Sequence, residues 1–203
     1  MTAHDAGALR PTAGALRLIE AHTTHPRTVD VAAYVQAVSA HCPYLAPSVE
    51  RRLTGWTVYE AVGDASAVEA EVFHAAVQAA EWVRPLASRR HGMLVCENIV
   101  VLGADAGAMG WPHWALKNLY GPVGLMFGKF SVGEERGGIP VPPVSFLPVR
   151  VAVRPRDPRF LGATPDLAAA VAEAVDDGRD VFDRIGHDWT EIKQWAQHLL
   201  PKQ

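Results

Sequence analysis

The sequence predicts an α+β domain: a mostly antiparallel four-stranded sheet packed by helices, with a C-terminal helical pair. Three observations lead there. Helical and strand-like apolar periodicities alternate along the chain in the order α–β–α–β–α–β–β–α–α. The last two strands are joined by a long Gly/Pro-rich loop, without the helix that a parallel crossover needs. The 203 residues contain no internal repeat and leave no room for a second domain.

The elements follow in order. Residues 1–27, rich in Ala, Thr, His and Pro, are expected to form a flexible N-terminal arm ahead of a single domain over 28–203. Thr28 suits the N-cap of a helix running to Ala40, in which Val31, Tyr34, Val35 and Val38 recur at helical spacing. His41-Cys42-Pro43 ends it, because the residue before a proline is pushed out of helical geometry. Residues 56–62 are β-branched and aromatic enough for a strand, and Gly63-Asp64 turns the chain. Ser66 and Glu69 form a capping-box pattern. It opens the longest helix, over 67–84, with an apolar stripe of Val68, Val72, Ala76, Ala79 and Val83.

Met93–Leu102 reads as a second strand, apolar apart from Glu97 and Asn98. Pro112 fits the first turn of a short helix. Residues 124–130 make a third strand, 131–143 a loop that is mobile by composition, and 146–154 a fourth strand. Pro148 lacks a ladder donor, which assigns that strand to an edge or a bulge. Asp166–Asp176 and Asp180–Leu200 read as the closing helices, the second with a face of Ile185, Trp189, Ile192, Trp195 and Leu199.

Composition narrows the function. At 49% hydrophobic and 20% charged, the chain can bury a core, which argues against disorder. A formal net charge of -3 offers no cation excess to neutralise phosphates, so nucleic acid is not an expected partner. Charged residues interrupt every apolar run before about 18 residues, so no membrane span is expected. The first 20 residues hold no apolar core of signal-peptide length, and Cys42 and Cys96 form no CxxC pair. Both observations favour a cytoplasmic protein with free thiols. The GxSxG, GxxxxGK[ST], HExxH and in-register GxGxxG patterns are missing. A small-molecule substrate is therefore the expected partner, with a homodimer left open.

Several residue groups can carry chemistry. His22 and His25, spaced HxxH, can share a metal or simply decorate a polar arm. In His41-Cys42-Pro43 the imidazole can activate the thiol, or the sulfur can face a heme iron, or Cys42 can merely fill a turn. Trp111-Pro112-His113-Trp114 can offer an axial nitrogen between aromatic walls, or be an aromatic helix start with a solvent-facing His113. Glu97 and Asn98 interrupt an apolar strand, which marks either a site or a strand end turned toward solvent. By alternation, Cys96 and Asn98 share one face and Glu97 takes the other. Lys129, Arg150 and Arg154 can line one end of the sheet as an anion pocket, or be surface cations. Arg156, Asp157 and Arg159 fit a local ion-paired turn.

Residues 41–47, 112–120, 124–130 and 146–161 together resemble an uncharacterised bacterial domain family associated with natural-product gene clusters. More remotely, over about 41–161, they resemble the YqcI/YcgG family, some of whose members are heme-dependent N-hydroxylases. The resemblance touches Cys42 and Pro43 in the first element, and Pro112, His113 and Trp114 in the second. It implies a heme-dependent oxygenase acting on nitrogen of a small amine, amino acid or guanidine in a biosynthetic pathway. His113, or alternatively Cys42, would be the metal ligand. Beyond what the resemblance carries, Trp111, Trp114 and Met126, with Phe127, would wall such a cofactor, and Arg150 or Arg154 would hold propionates or a substrate carboxylate. Glu97 and Asn98 are the catalytic candidates. Two alternatives stand beside this reading. One is a cofactor-free cyclase or isomerase using Glu97, His91 or His113 as acid and base. The other is a heme or small-molecule carrier without turnover.

Overall fold

A computed structural model describes residues 14–121, 123–135 and 138–152. The expected closing helices, Arg154 and the 156–159 turn lie outside the described residues. The chain is α+β, but its sheet has five strands and is mixed, in the order β1-β2-β3-β5-β4. The strands are β1 (Leu16–Thr23), β2 (Thr54–Ala61), β3 (Cys96–Leu102), β4 (Leu125–Phe127) and β5 (Phe146–Val151). The helices are α1 (Ala32–Ser39), α2 (Leu45–Glu50), α3 (Ala65–Val83) and α4 (Gly110–Tyr120).

Two features correct the four-stranded antiparallel expectation. First, β2 and β3 pair in parallel, from Thr54 opposite Cys96 to Glu60 opposite Leu102. The long helix α3 between them is the crossover that parallel pairing requires. Second, the arm contributes strand β1, antiparallel to β2 with two register shifts. Its start is pinned by Glu71 of α3, whose carboxylate accepts from the Ala15 and Leu16 amides at 2.6 and 2.7 Å. Its end is tied by Glu20, which accepts from the Arg27 and Thr28 amides and the Thr28 hydroxyl. Those bonds, the Thr28 amide first, hold the Glu20 carboxyl below the usual carboxylate range.

The caps also differ from the sequence pattern. Thr28 is engaged by Glu20, and Asp30 accepts from the Ala32 amide at the start of α1. At α3 the cap is Asp64, which accepts from the Ala67 amide at 2.9 Å, in place of the Ser66–Glu69 box. The α3 stripe packs as its spacing requires, with Val68, Val72, Ala76 and Val83 buried. The second strand starts three residues later than its apolar run, because Gly92–Leu94 form a 3₁₀ turn. The helix α2 begins within residues 41–47, where the sequence suggests no helix of its own.

Strand β5 is interior, between β3 and β4. Pro148 is tolerated there because its donor-less nitrogen faces Gly128, just past the end of β4. At that point the Gly128 amide donates to the Pro148 carbonyl at 2.9 Å, and no reciprocal bond is needed. Gly128 is required by space: a Cβ there would sit 2.9 Å from Pro148 Cγ and 3.1 Å from Phe130.

Side chains alternate across the sheet and divide the core in two. One face carries Ile99, Val101, Leu147, Val149, Leu125 and Phe127 against α3 and α4. The other carries Trp56, Val58, Val100 and Phe146, with Val29, Val31 and Tyr34 packed over them. Covering α1 and α2 are short, so they leave part of this second face open as a cavity.

Candidate functional site: a cavity between the short helices and the sheet

The cavity measures about 370 Å³. Its floor is every second side chain of the central and far strands: Trp56 from β2, Cys96 and Asn98 from β3, Met126 from β4, and Phe146, Pro148 and Arg150 from β5. Its walls are Tyr34, Val35 and Val38 of α1, the turn His41–Cys42, Tyr44 and Leu45 at the start of α2, and Ile139 of the loop before β5. The turn is set by the end of α1, where the amides of His41 and Cys42 both donate to the Val38 carbonyl at 2.9 and 3.0 Å. Phe130 stacks on Phe146 at 4.9 Å and 10°, and Trp56 and Tyr34 also pack against Phe146. The result is an aromatic, mostly apolar container.

Polar groups are concentrated at the β3–β5 end. Asn98 is buried and donates its amide to the Gly55 carbonyl at 2.8 Å. Its oxygen accepts from the Cys96 thiol at 3.9 Å. The Thr54 hydroxyl reaches the Ser48 hydroxyl at 2.6 Å, which in turn donates to the Leu94 carbonyl at 2.6 Å. Arg150 donates to the Val151 carbonyl at 2.8 Å and approaches Met126 Sδ at 3.7 Å. Its guanidinium lies 5.7 Å from the Tyr44 ring centroid, within cation–π range. Burial pushes the Cys96 thiol up to about 12, with the Arg150 charge opposing the shift. At neutral pH Cys96 is a thiol, not a nucleophilic thiolate.

Glu97, one residue along β3, points to the opposite face. Its side chain is 4% exposed, and its carboxylate meets His22 Nδ1 at 2.9 Å and accepts from Thr57 Oγ1 at 2.7 Å. Burial raises its pKa, and the Thr57 and His22 contacts work against that rise. This pair lines a second, smaller cleft of about 170 Å³ with Tyr59, Gln78 and Trp82.

The residues expected around a heme are not brought together. Met126 and Arg150 line the large cavity, while His113 is on α4, on the other side of the sheet. His113 Nε2 lies 3.3 Å from the Phe127 carbonyl. Trp111 packs on Phe73 at 5.2 Å, and Trp114 is 56% exposed. On α4, Trp111 packs into the core, His113 meets a strand carbonyl and Trp114 faces solvent, so the three side chains do not share a wall. A porphyrin held by His113 and walled by Trp111, Trp114 and Met126 does not fit this arrangement. Of the two ligands considered, only Cys42 lines the cavity that holds Arg150. Lys129 alternates away from it, since Gly128 and Phe130 are the lining neighbours. Glu97 and Asn98 occupy separate sites. His22 and His25 diverge too: His25 pairs with Thr24 at 2.9 Å. Among the described residues no group of three or more His, Cys, Asp or Glu is arranged to hold a metal ion.

Sequence reasoning missed Ser48, Thr54 and Trp56 in the cavity, and His22 beside Glu97. No protein-family model, curated protein or solved structure matches this chain. No helix among the described residues is long and apolar enough to cross a membrane.

Proposed function

We propose that the protein binds a small, largely apolar molecule bearing an anionic group in the 370 Å³ cavity, as an enzyme or carrier of a biosynthetic pathway. The observation that carries this reading is the lining itself. Five aromatic rings, Tyr34, Tyr44, Trp56, Phe130 and Phe146, surround an end built from Arg150, Asn98 and the Ser48–Thr54 hydroxyls. Pockets of this size and character commonly enclose drug-sized ligands, with a few polar groups fixing orientation. Arg150 suits a carboxylate or sulfonate, because a guanidinium presents a planar fork to such groups.

A heme-dependent oxygenase is the second reading, favoured by Cys42, Met126 and Arg150 lining one cavity. Heme would supply iron for oxygen activation, Cys42 would be its sulfur ligand, and Arg150 would pair with a propionate.

One titration series tests both. The probes are 1-anilinonaphthalene-8-sulfonate, an apolar anion, followed by fluorescence, and hemin, followed by absorbance. The account expects saturable 1:1 binding of the sulfonate that is abolished by Val38→Trp or Met126→Trp, which fill the cavity from opposite walls. Arg150→Gln is expected to weaken binding about tenfold, the effect of losing one charge-assisted hydrogen bond. A specific hemin band lost in Cys42→Ala supports the oxygenase. Sulfonate binding that is unchanged in both tryptophan variants overturns the cavity reading.

A further inference from the structure

The cleft on the α3 face is unused by the cavity reading and carries a separate arrangement. His22 reaches it from the edge strand β1, and Glu97 from the central strand β3, 75 residues later in sequence. The carboxylate is fixed from both sides, by Thr57 at Oε1 and His22 at Oε2. The imidazole ring is held in turn by Trp82 of α3, with centroids 4.7 Å apart. The backbone is shaped around the pair. Gly55 of β2 has no room for a Cβ, which would collide with Glu97 Oε2 and the His22 ring. The His22 side chain is nevertheless 46% exposed, and the exposed Trp82 lines the same opening with Tyr59 and Gln78.

A buried carboxylate fixing one imidazole nitrogen while the ring stays open to solvent is the geometry of an oriented proton-transfer histidine. With Glu97 ionised, Nδ1 carries the hydrogen of the 2.9 Å bond and Nε2 presents a lone pair. Among the described residues lining the cleft, the other titratable group is Tyr59 of β2, whose phenol is held above its ordinary range by burial and by Glu97. From α3 the cleft receives the uncharged Gln78 and Trp82.

We infer that this cleft is a second site, in which His22 is a catalytic general base for water attacking a small polar ester and Glu97 is its positioning residue. Nε2 accepts a proton from water as the water oxygen bonds to the acyl carbon. The alcohol then departs with the electrons of the broken C–O bond and takes the proton back from Nε2. The products are a carboxylic acid and an alcohol, and no other reactant is consumed.

The test is hydrolysis of p-nitrophenyl acetate by the full chain, with diethyl pyrocarbonate labelling of individual histidines as a second readout. The expected result is hydrolysis that falls at least about tenfold in His22→Gln and in Glu97→Gln, in the range of losing an acid–base group or its orientation. His25→Ala leaves the rate unchanged. Glu97→Asp keeps more of the rate than Glu97→Gln, because only a carboxylate can hold the hydrogen on Nδ1. A purely structural side chain would show no such order. At about pH 8, where ring orientation rather than charge sets reactivity, labelling of His22 is faster than of His25 in the native protein and slows in Glu97→Gln, a result that stands even where hydrolysis is weak. Equal hydrolysis in His22→Gln and native protein, with His22 and His25 labelled at equal rates, overturns the inference. The large cavity plays no part in this test, so failure here leaves sulfonate binding intact.

Discussion

Gly55→Ala isolates the physics that builds the His22–Glu97 pair. Glycine inside a strand ordinarily weakens it, and alanine would be expected to gain about 0.5–1 kcal/mol. Here the sign reverses. The added methyl would collide with Glu97 Oε2 and the His22 ring, and would lie 2.8 Å from His22 Nδ1. Those atoms end side chains, so they can swing aside, but only by breaking the 2.9 Å bond that compensates the buried carboxylate. Overpacking of this kind costs about 1–3 kcal/mol, for a net loss centred on about 1 kcal/mol. With m of about 1–2 kcal/mol/M the urea midpoint falls by roughly 1 M, read from tryptophan fluorescence. In a Glu97→Ala background the half-exposed His22 ring loses its anchor and can swing aside, so the same substitution gains space. A double-mutant cycle should then show coupling above about 1 kcal/mol. An unchanged or higher midpoint for Gly55→Ala in the native background would refute the argument.

Three further outcomes follow from the same structure. Glu97 has a raised pKa in the fold, so the proton it holds stabilises the native state at low pH. That advantage fades as pH rises through the folded value. Native protein should therefore lose stability relative to Glu97→Gln as pH rises above the ordinary carboxylate range, measured by urea unfolding; the opposite slope contradicts the burial argument. Cys96, pushed up to about 12, should resist iodoacetamide at about pH 8 in the folded protein while Cys42 is alkylated, and both should react in urea. Equal rates by peptide mass spectrometry would count against the raised Cys96 thiol. Gly128→Ala presses a methyl into the Pro148 ring and should cost about 1–3 kcal/mol and weaken sulfonate binding, since that contact forms the cavity floor.

What could be read from the sequence was local. The α3 stripe was legible because five apolar positions fall on one helical face, and eight α3 residues are buried in the structure. The alternation of β3 was legible as well, and it separates Asn98 from Glu97 as period two demands. Pairing was not legible. The run Leu16–Thr23 has no clean alternation and stays largely exposed, and the Glu71 carboxylate that anchors it lies 55 residues away. The parallel β2–β3 register depends on α3 acting as a crossover, a non-local choice that periodicity does not encode.

The sites show the same division. Trp111, His113 and Trp114 looked like a cluster because they are adjacent in sequence, yet a helix sends them to a core contact, a strand carbonyl and solvent. His22 and Glu97 looked unrelated because the sheet, not the chain, brings them together. One mark of that pair was legible, the Glu97 carboxylate inside an apolar run; the other, the glycine before Trp56, was not, because only the sheet reveals its meaning. Both are local defects that only a partner across the sheet explains.

The central claim is that the face of β3, β4 and β5 beneath α1 and α2 holds an apolar anion. A crystal structure of the protein with 1-anilinonaphthalene-8-sulfonate tests it most directly. The account predicts the naphthalene ring between Phe146, Pro148 and the α1 side chains, with the sulfonate at Arg150. A probe bound only on the outer surface, with Tyr34, Trp56 and Phe146 closed over an empty floor, would contradict it.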